Sequence, residues 1–335
     1  MDFRGSHIIS IDQFDRTDVE EVFSVANSLE DYSLKKKVTR VLEGAILGNM
    51  FFEPSTRTRI SFGAAFNLLG GSVREITEIG SSSMAKGESL IDTAQVLSGY
   101  SDVIVMRHPD EGSVEKFSQA SRVPVINGGD GANEHPSQAL LDLYTIEKEL
   151  SVNKKKIDGL RIALVGDLKF GRAVHSLCKI LSLYKDIQIN LISPEELRLP
   201  KELLSNLLSS NIKIVETENL EDGISGVDIL YVTRIQEERF KSEKDALKYK
   251  GLLSLNEAIY TKNCEPNTVI MHPLPRDSRR EANELDSDLY DNPNLAIFRQ
   301  ADNGVVIRMA LFSLVLGVRD QIISSSKEVN WHVTR

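Results

Sequence analysis

Cysteine is scarce: Cys178 and Cys264 are the whole supply in 335 residues, with no Cys-x-x-Cys pair and no Cys/His cluster. That argues against a disulfide framework or a structural zinc site, and it suits two reduced, inert thiols in a cytoplasmic protein. Long apolar runs are missing too. The longest near the C-terminus, residues 309–318, falls far short of the roughly 20 residues that span a bilayer, so no membrane partner is expected. The opening segment MDFRGSHIIS has no basic stretch followed by an apolar one, so no signal peptide is expected. Positive charge is in deficit: 40 Lys and Arg against 49 Asp and Glu give −9. A chain of this sign is not expected to bind nucleic acid, and any anion site must be built locally against the overall field. No GxGxxG occurs, which disfavours a nicotinamide site. Gly166-x4-Gly171 is followed by Arg172-Ala173, not by the Lys-Ser/Thr that an ATP-binding phosphate loop needs.

What is present is alternation. In the first half, strands are expected at 45–52, 72–76, 102–106 and 123–127, with helices at 57–69, 88–97 and 111–118 between them. Val19, Val22, Phe23, Ala26 and Leu29 form a helical stripe behind Asp15, an N-cap. In the second half, 160–165, 187–192, 212–215, 227–232 and 268–271 read as buried strands of a parallel sheet covered on both faces. The expected fold is α/β: two doubly wound parallel-sheet domains joined by helices. The polar stretch 151–158 is the expected boundary, dividing the chain into 1–150 and 151–303, with Lys154, Lys155 and Lys156 as solvated surface. Residues 305–317 are apolar almost all round and predict a buried helix, over about 304–325, that packs back on the first domain.

Several polar constellations interrupt this pattern. In FFEPSTRTRISF, Ser55, Thr56, Arg57, Thr58 and Arg59 stand between a strand and a helix. N–H groups at a helix N-terminus, reinforced by hydroxyls and guanidinium groups, suit phosphate or carboxylate oxygens. His108, His135 and His272 each precede proline after a strand or its loop, where α/β folds place ligands. Pro136 fits the first helical position, which puts Gln138 in the first turn. His7 and His332 read as peripheral, and His175 as structural. Arg172 follows a strand-to-helix loop and suits a bidentate carboxylate. Thr233, Arg234 and Gln236 follow another strand and form a second anion clamp. Glu238 and Arg239 beside them read either as its supports or as a surface ion pair, the commoner outcome. The prolines of VIMHPLPRDSR fix a non-helical loop able to present carbonyls to an N–H-bearing ligand. Many cationic and amide groups, with no nucleophile–base pair and no metal set, suit catalysis by positioning and oxyanion stabilisation on a phosphate-bearing substrate and a dicarboxylate.

These segments also resemble the carbamoyltransferases, and within them the aspartate carbamoyltransferase catalytic chains. SxRTR (55–59), MRHP (106–109), HPxQ (135–138), GDLKxGRxVHS (166–176), TRxQxER (233–239), HPLPR (272–276) and FRQADNGVVIRMAL (298–311) occur in family order across nearly the whole chain. SxRTR and HPxQ are shared with ornithine enzymes. HPLP, in place of their HCLP, and TRxQ favour an aspartate acceptor, and Arg234 would repel the cationic side chain of ornithine.

The resemblance implies a carbamoyl-phosphate-binding domain (1–150 plus the last helix) and an aspartate-binding domain (151–303). Ser55, Thr56, Arg57, Thr58 and Arg107 would bind phosphate, and Thr58, Arg107 and His135 would polarise the carbonyl oxygen. Gln138 and the carbonyls of Pro273 and Leu274 would hold the carbamoyl NH2. Arg172 would take the aspartate α-carboxylate, and Arg234 with Gln236 the β-carboxylate. Ser82, within the serines 81–83, and Lys86 match a loop that serves the neighbouring subunit's site in a homotrimer, with Lys86 also reaching the aspartate side and the chemistry. No cofactor or metal is implied. Regulatory chains or another pathway enzyme are further partners the family allows. The charged stretch 277–291 is longer than the family pattern and has no assigned place. Rival readings are a carbamoyltransferase for another amino acid and a non-catalytic scaffold.

Overall fold

A computed structural model describes residues 1–77, 87–240, 242, 246, 248–277, 279, 282–329 and 331. The chain divides into two compact units, residues 1–140 with 302–335 and residues 141–301.

In the first unit, Asp15 caps α1 (Arg16–Ser33) through a reciprocal pair with Asp18, and the stripe Val19, Val22, Phe23, Ala26 and Leu29 is buried. Four parallel strands lie in the order β3 (Ser72–Ile76), β2 (Ile46–Phe51), β4 (Val103–His108), β5 (Val125–Asp130). The last three are buried almost throughout, and each carries an apolar stretch, the longest unbroken one being Val103–Met106 of β4. The helices of this unit are α2 (Thr56–Leu68), α3 (Leu90–Leu97) and α4 (Ser113–Ala120). Helix α5 (Pro136–Val152) begins in this unit and continues in the second. A short antiparallel ladder joins β1 (Lys37–Val38) to β11 (Lys327–Glu328).

The second unit holds five parallel strands in the order β10 (Val269–Met271), β9 (Ile229–Val232), β6 (Arg161–Val165), β7 (Gln188–Ile192), β8 (Lys213–Thr217). Its helices are α6 (Arg172–Leu181), α7 (Lys201–Ser209), α8 (Leu220–Gly223) and α9 (Glu257–Asn263). One expectation fails here: β8 is not a buried strand. It is an edge strand with Val215 39% exposed, because no further strand covers it. The unassigned stretch 277–291 belongs to this unit, and its Leu285 and Leu289 enter a core with Val165, Leu230, Val232 and Ile270. Lys155 is exposed, as expected of its run, and pairs with Asp228.

The last helix, α10, runs Ile297–Val315 rather than over about 304–325. It ends where Gly317 takes φ +66° and the Gly317 and Val318 N–H groups close onto the carbonyls of Leu314 and Ser313. Phe312 then meets Phe62 and Phe66 of α2 edge-on at 5.9 and 5.0 Å, so the helix's later turns belong to the first unit. Among the described residues no single helix is long and apolar enough to cross a membrane. Both thiols are free, and burial pushes Cys178 and Cys264 up to about 12.

The strand orders decide where ligands go. In the first unit, β2 is followed by β3 on one side and by β4 on the other; in the second, β6 is followed by β7 on one side and by β9 on the other. The loops leaving such a pair diverge, and the crevice at their carboxyl ends is the binding position of doubly wound sheets.

Candidate active site

At the first switch point, Phe51 lies in register with Arg107, and the Phe52 N–H donates to the Arg107 carbonyl at 2.9 Å. The chain turns through Glu53-Pro54 into α2, with Ser55 as N-cap and Thr56, Arg57 and Thr58 as the first turn. Ser55 makes no side-chain cap bond, and the turn holds no acidic residue. The first-turn N–H groups and the positive helix end therefore suit an anion. Thr56 and Arg57 are exposed and Thr58 is buried. Arg59 serves the fold instead: it faces Glu75 at 4.0 Å, and its carbonyl accepts from the Asn49 amide at 3.2 Å.

Arg107 is buried, and its Nε donates to Glu53 Oε2 at 2.9 Å. The ladder between β4 and β5 shifts register between Met106 and His108, a device that re-aims side chains beside sites. His108 is structural: it is buried, its Nδ1 accepts the Asp110 N–H at 3.1 Å, and burial holds its pKa below the usual imidazole range. His135 is buried immediately before α5, where its carbonyl accepts the N–H groups of Gln138 and Ala139 at 2.9 and 3.2 Å. Pro136 opens the helix and Gln138 sits half-buried in its first turn.

At the second switch point, Gly166 has φ +115°, and a Cβ there would lie 2.2 Å from the Thr233 carbonyl oxygen. Only glycine lets the loops after β6 and β9 run this close. Asp167 ties them together: it accepts from the N–H groups of Phe170 (3.0 Å), Lys169 (3.2 Å) and Gln236 (3.1 Å). Burial nevertheless pushes its carboxyl up. Arg172 opens α6 and is half-buried. Arg234 is gripped by both oxygens of Glu238, Nη1 to Oε2 at 3.0 Å and Nη2 to Oε1, and Nη1 also reaches the Ile235 carbonyl at 3.1 Å. Burial works against the charge of Arg234, but the carboxylate outweighs it and raises the guanidinium pKa. Of the neighbours, Glu238 pairs with Arg234 four residues away with its own side chain half exposed, an arrangement that fits either reading.

After β10, the His272–Pro273–Leu274 loop is not helical, and Pro273 and Leu274 are half-buried. His272 is buried, accepts the Leu274 N–H on Nδ1 at 2.8 Å, and contacts Glu284 through Nε2 at 2.8 Å. His175 is structural, as read, with Nε2 2.9 Å from the Leu168 carbonyl. His7 is more than peripheral: its Nδ1 accepts the Val125 N–H at 3.0 Å. Ser82, the other serines of 81–83, Lys86 and His332 lie outside the described residues.

Sequence reasoning missed Glu53, Asp167 and Glu284. Glu53 had a signal, an acid inside a cationic turn, and Asp167 stands in a Gly-Asp pair at a strand end. Glu284 had none, lying 12 residues from its partner. Among the described residues, no group of three His, Cys, Asp or Glu side chains is placed to hold a metal ion.

Residues 6–148 match the family described as aspartate/ornithine carbamoyltransferase, carbamoyl-P binding domain, and residues 158–315 match aspartate/ornithine carbamoyltransferase, Asp/Orn binding domain. The chain belongs to the aspartate/ornithine carbamoyltransferase family. Within this family it is 65% identical over 335 residues to a protein of Saccharophagus degradans named aspartate carbamoyltransferase catalytic subunit, covering 100% of this chain and 99% of the relative. It is equally, 65%, identical to the Cellvibrio japonicus protein of the same name over 99% of this chain and 98% of that one. Among solved structures it resembles a Trypanosoma cruzi aspartate transcarbamoylase in complex with carbamoyl phosphate and aspartate. The TM-score is 0.86 at 37% identity, over 94% of this chain and 98% of that one.

Proposed function

We propose that the chain transfers the carbamoyl group of carbamoyl phosphate to the amine of L-aspartate, giving N-carbamoyl-L-aspartate and phosphate, an early step of pyrimidine biosynthesis. One observation carries this reading: each sheet's switch point ends in arginine-bearing loops, one built on a helix N-terminus that suits phosphate, the other on a side-chain fork that suits carboxylate. Ser55, Thr56, Arg57, Thr58 and Arg107 hold the phosphate. Gln138 and the carbonyls of Pro273 and Leu274 take the carbamoyl NH2. Arg172 holds the α-carboxylate, and Arg234 with Gln236 the β-carboxylate.

The neutral amine attacks the carbonyl carbon. Negative charge grows on the carbonyl oxygen, where Thr58, Arg107 and His135 donate. The new C–N bond replaces the C–O bond to phosphate, and the departing phosphate takes the amine proton. No metal or cofactor enters the scheme. Phosphate release measured across acceptors tests it. Aspartate should be turned over and ornithine refused, since Arg234 repels a second ammonium; comparable turnover of ornithine would overturn the assignment.

The family resemblance extends the proposal to a cytoplasmic homotrimer in which Ser82 and Lys86 complete the neighbouring subunit's site. Arg57→Ala and Lys86→Ala trimers should each be nearly inactive. Mixed trimers should regain activity well above both, because one interface joins an intact phosphate turn to an intact Lys86. Verified hybrids as inactive as their parents would confine Lys86 to its own chain. Regulatory chains or a pathway enzyme would appear in the size of the native complex.

A further inference from the structure

The charged stretch 277–291 contains a carboxylate that the proposed reaction does not use. Glu284 is buried, yet its neighbour Leu285 fills the apolar core. A buried carboxylate has to be compensated by hydrogen bonds. Glu284 Oε1 lies 2.8 Å from His272 Nε2 and accepts the Asp277 N–H at 2.9 Å, and Oε2 accepts the same N–H at 3.2 Å. It therefore clamps both ends of the loop 272–277. The tautomer follows from the other ring nitrogen: Nδ1 accepts the Leu274 N–H, so Nε2 carries the proton and donates to Glu284.

The entry to the loop is tied as firmly. The His272 N–H donates to Gln300 Oε1 at 2.9 Å, and Gln300 Nε2 donates to Asp142 Oδ1 at 2.6 Å. The Tyr231 hydroxyl donates to Asp142 Oδ2 at 2.7 Å. Within this frame Leu274 takes φ +55°, a left-handed conformation that a branched residue resists. Such strain persists only where surrounding contacts over-determine it, and it gathers at ligand clamps.

We propose that Glu284 is a positioning residue, which through His272 fixes the carbonyls of Pro273 and Leu274 that accept from the carbamoyl NH2. This rests on the reading of those carbonyls given above. Two acceptors serve one NH2 group only when both are held within a fraction of an ångström.

Acetyl phosphate isolates the contact, because it keeps the phosphate and carbonyl but carries CH3 where carbamoyl phosphate has NH2. Dissociation constants for the two ligands should differ by at least roughly tenfold in the native enzyme, in favour of carbamoyl phosphate. His272→Asn keeps an acceptor for the Leu274 N–H but loses the link to Glu284, and the preference should shrink toward unity while acetyl phosphate binds as before. Glu284→Leu should do the same. Glu284→Gln, whose amide oxygen still accepts from His272, should retain most of the preference. If Glu284→Leu does not fold, His272→Asn decides. The inference is overturned if His272→Asn keeps the native preference, or if both ligands weaken equally along with a lower Tm, the mark of a merely structural pair. A native enzyme with no preference would remove the carbonyl contact itself, and the inference with it.

Discussion

On the proposed reading, the two switch points solve the same problem, holding an anion in an acidic protein, by different means. In the first unit backbone donors would stand beside side chains: α2 follows β2 after the short connection 52–55, and its first helical turn holds no acidic residue. In the second unit they would be side chains, and on both sides an arginine is held by a carboxylate of its own chain, Arg107 by Glu53 and Arg234 by Glu238. A phosphate offers several oxygens and up to two charges, which a ring of N–H groups and hydroxyls matches from many directions. A carboxylate offers one charge and two coplanar oxygens, which an arginine fork matches alone. On the proposed assignment, the donor would be recognised by helix-terminal N–H groups together with Ser55, Thr56, Arg57, Thr58 and Arg107, and the acceptor by a few side chains, Arg172, Arg234 and Gln236.

The strongest way to break this comparison is to remove one arginine from each side. Arg234→Ala should raise the aspartate KM by the equivalent of roughly 2–5 kcal/mol while leaving carbamoyl-phosphate affinity close to native, because its proposed contact is to one carboxylate of aspartate only. Arg107→Ala should instead lower kcat, by the roughly 2.7–4 kcal/mol typical of a lost oxyanion donor, as well as weakening carbamoyl phosphate. Steady-state kinetics with each substrate varied in turn separates the two. Equal effects on both substrates from either variant would erase the division of labour.

Backbone shape can be tested through glycine. Gly166→Ala must place a Cβ against the Thr233 carbonyl oxygen at a φ of +115°, and backbone cannot yield as a side-chain tip can. A loss of about 3 kcal/mol is expected in urea unfolding, with impaired aspartate binding because the Arg234 loop is pushed aside. Gly128 on β5 offers the contrast. Its added Cβ would meet Val105 Cγ1 at 3.2 Å and Phe51 Cζ at 3.3 Å, and its backbone is not in the left-handed region. Gly128→Ala should cost about 1 kcal/mol. Equal losses would show that the loops of the second unit are no more tightly built than the sheet of the first.

How much of this was legible depended on the range of the interaction. Buried parallel strands such as β4 and β9 declare themselves as unbroken apolar runs, and the start of α1 declares itself through Asp15. The strand-to-helix turn proposed for phosphate was legible as a local feature because its strand, cap and cations are contiguous in 51–59. Position within a sheet was not: the run at 212–215 is apolar enough for an inner strand, and only the strand order makes β8 an edge. Nor were the partners of the site groups, since Glu53 reaches Arg107 across 54 residues and Gln300 reaches Asp142 across 158. The end of α10 was readable in principle from Gly317, but the apolar pattern continues to Val318 and masked it.

The last comparison is between the histidines of the two units. Burial lowers the pKa of His7 and His108 in the first unit and of His272 in the second. His272 has the Glu284 carboxylate directly on its ring, whereas His108 is opposed only by Asp110, Asp130 and Glu53 at longer range. A folded-state value below the unfolded one, about 6.5, means that the unfolded chain takes up a proton the folded chain refuses. Stability is therefore complete above pH 6.5 and falls as the pH drops through and below it, by at most about 1.4 kcal/mol per pH unit for each such group. His108→Asn keeps an acceptor for the Asp110 N–H and removes the titrating ring. Urea unfolding of this variant and the native chain at pH 7.5 and 5.5 should show the variant losing less stability on acidification, by up to about 1.4 kcal/mol. Because both proteins share every other titrating group, including the raised Asp130 and Asp167, their difference isolates His108 to first order. An identical loss in both would mean that the His108 ring takes up its proton in the folded state as readily as in the unfolded one.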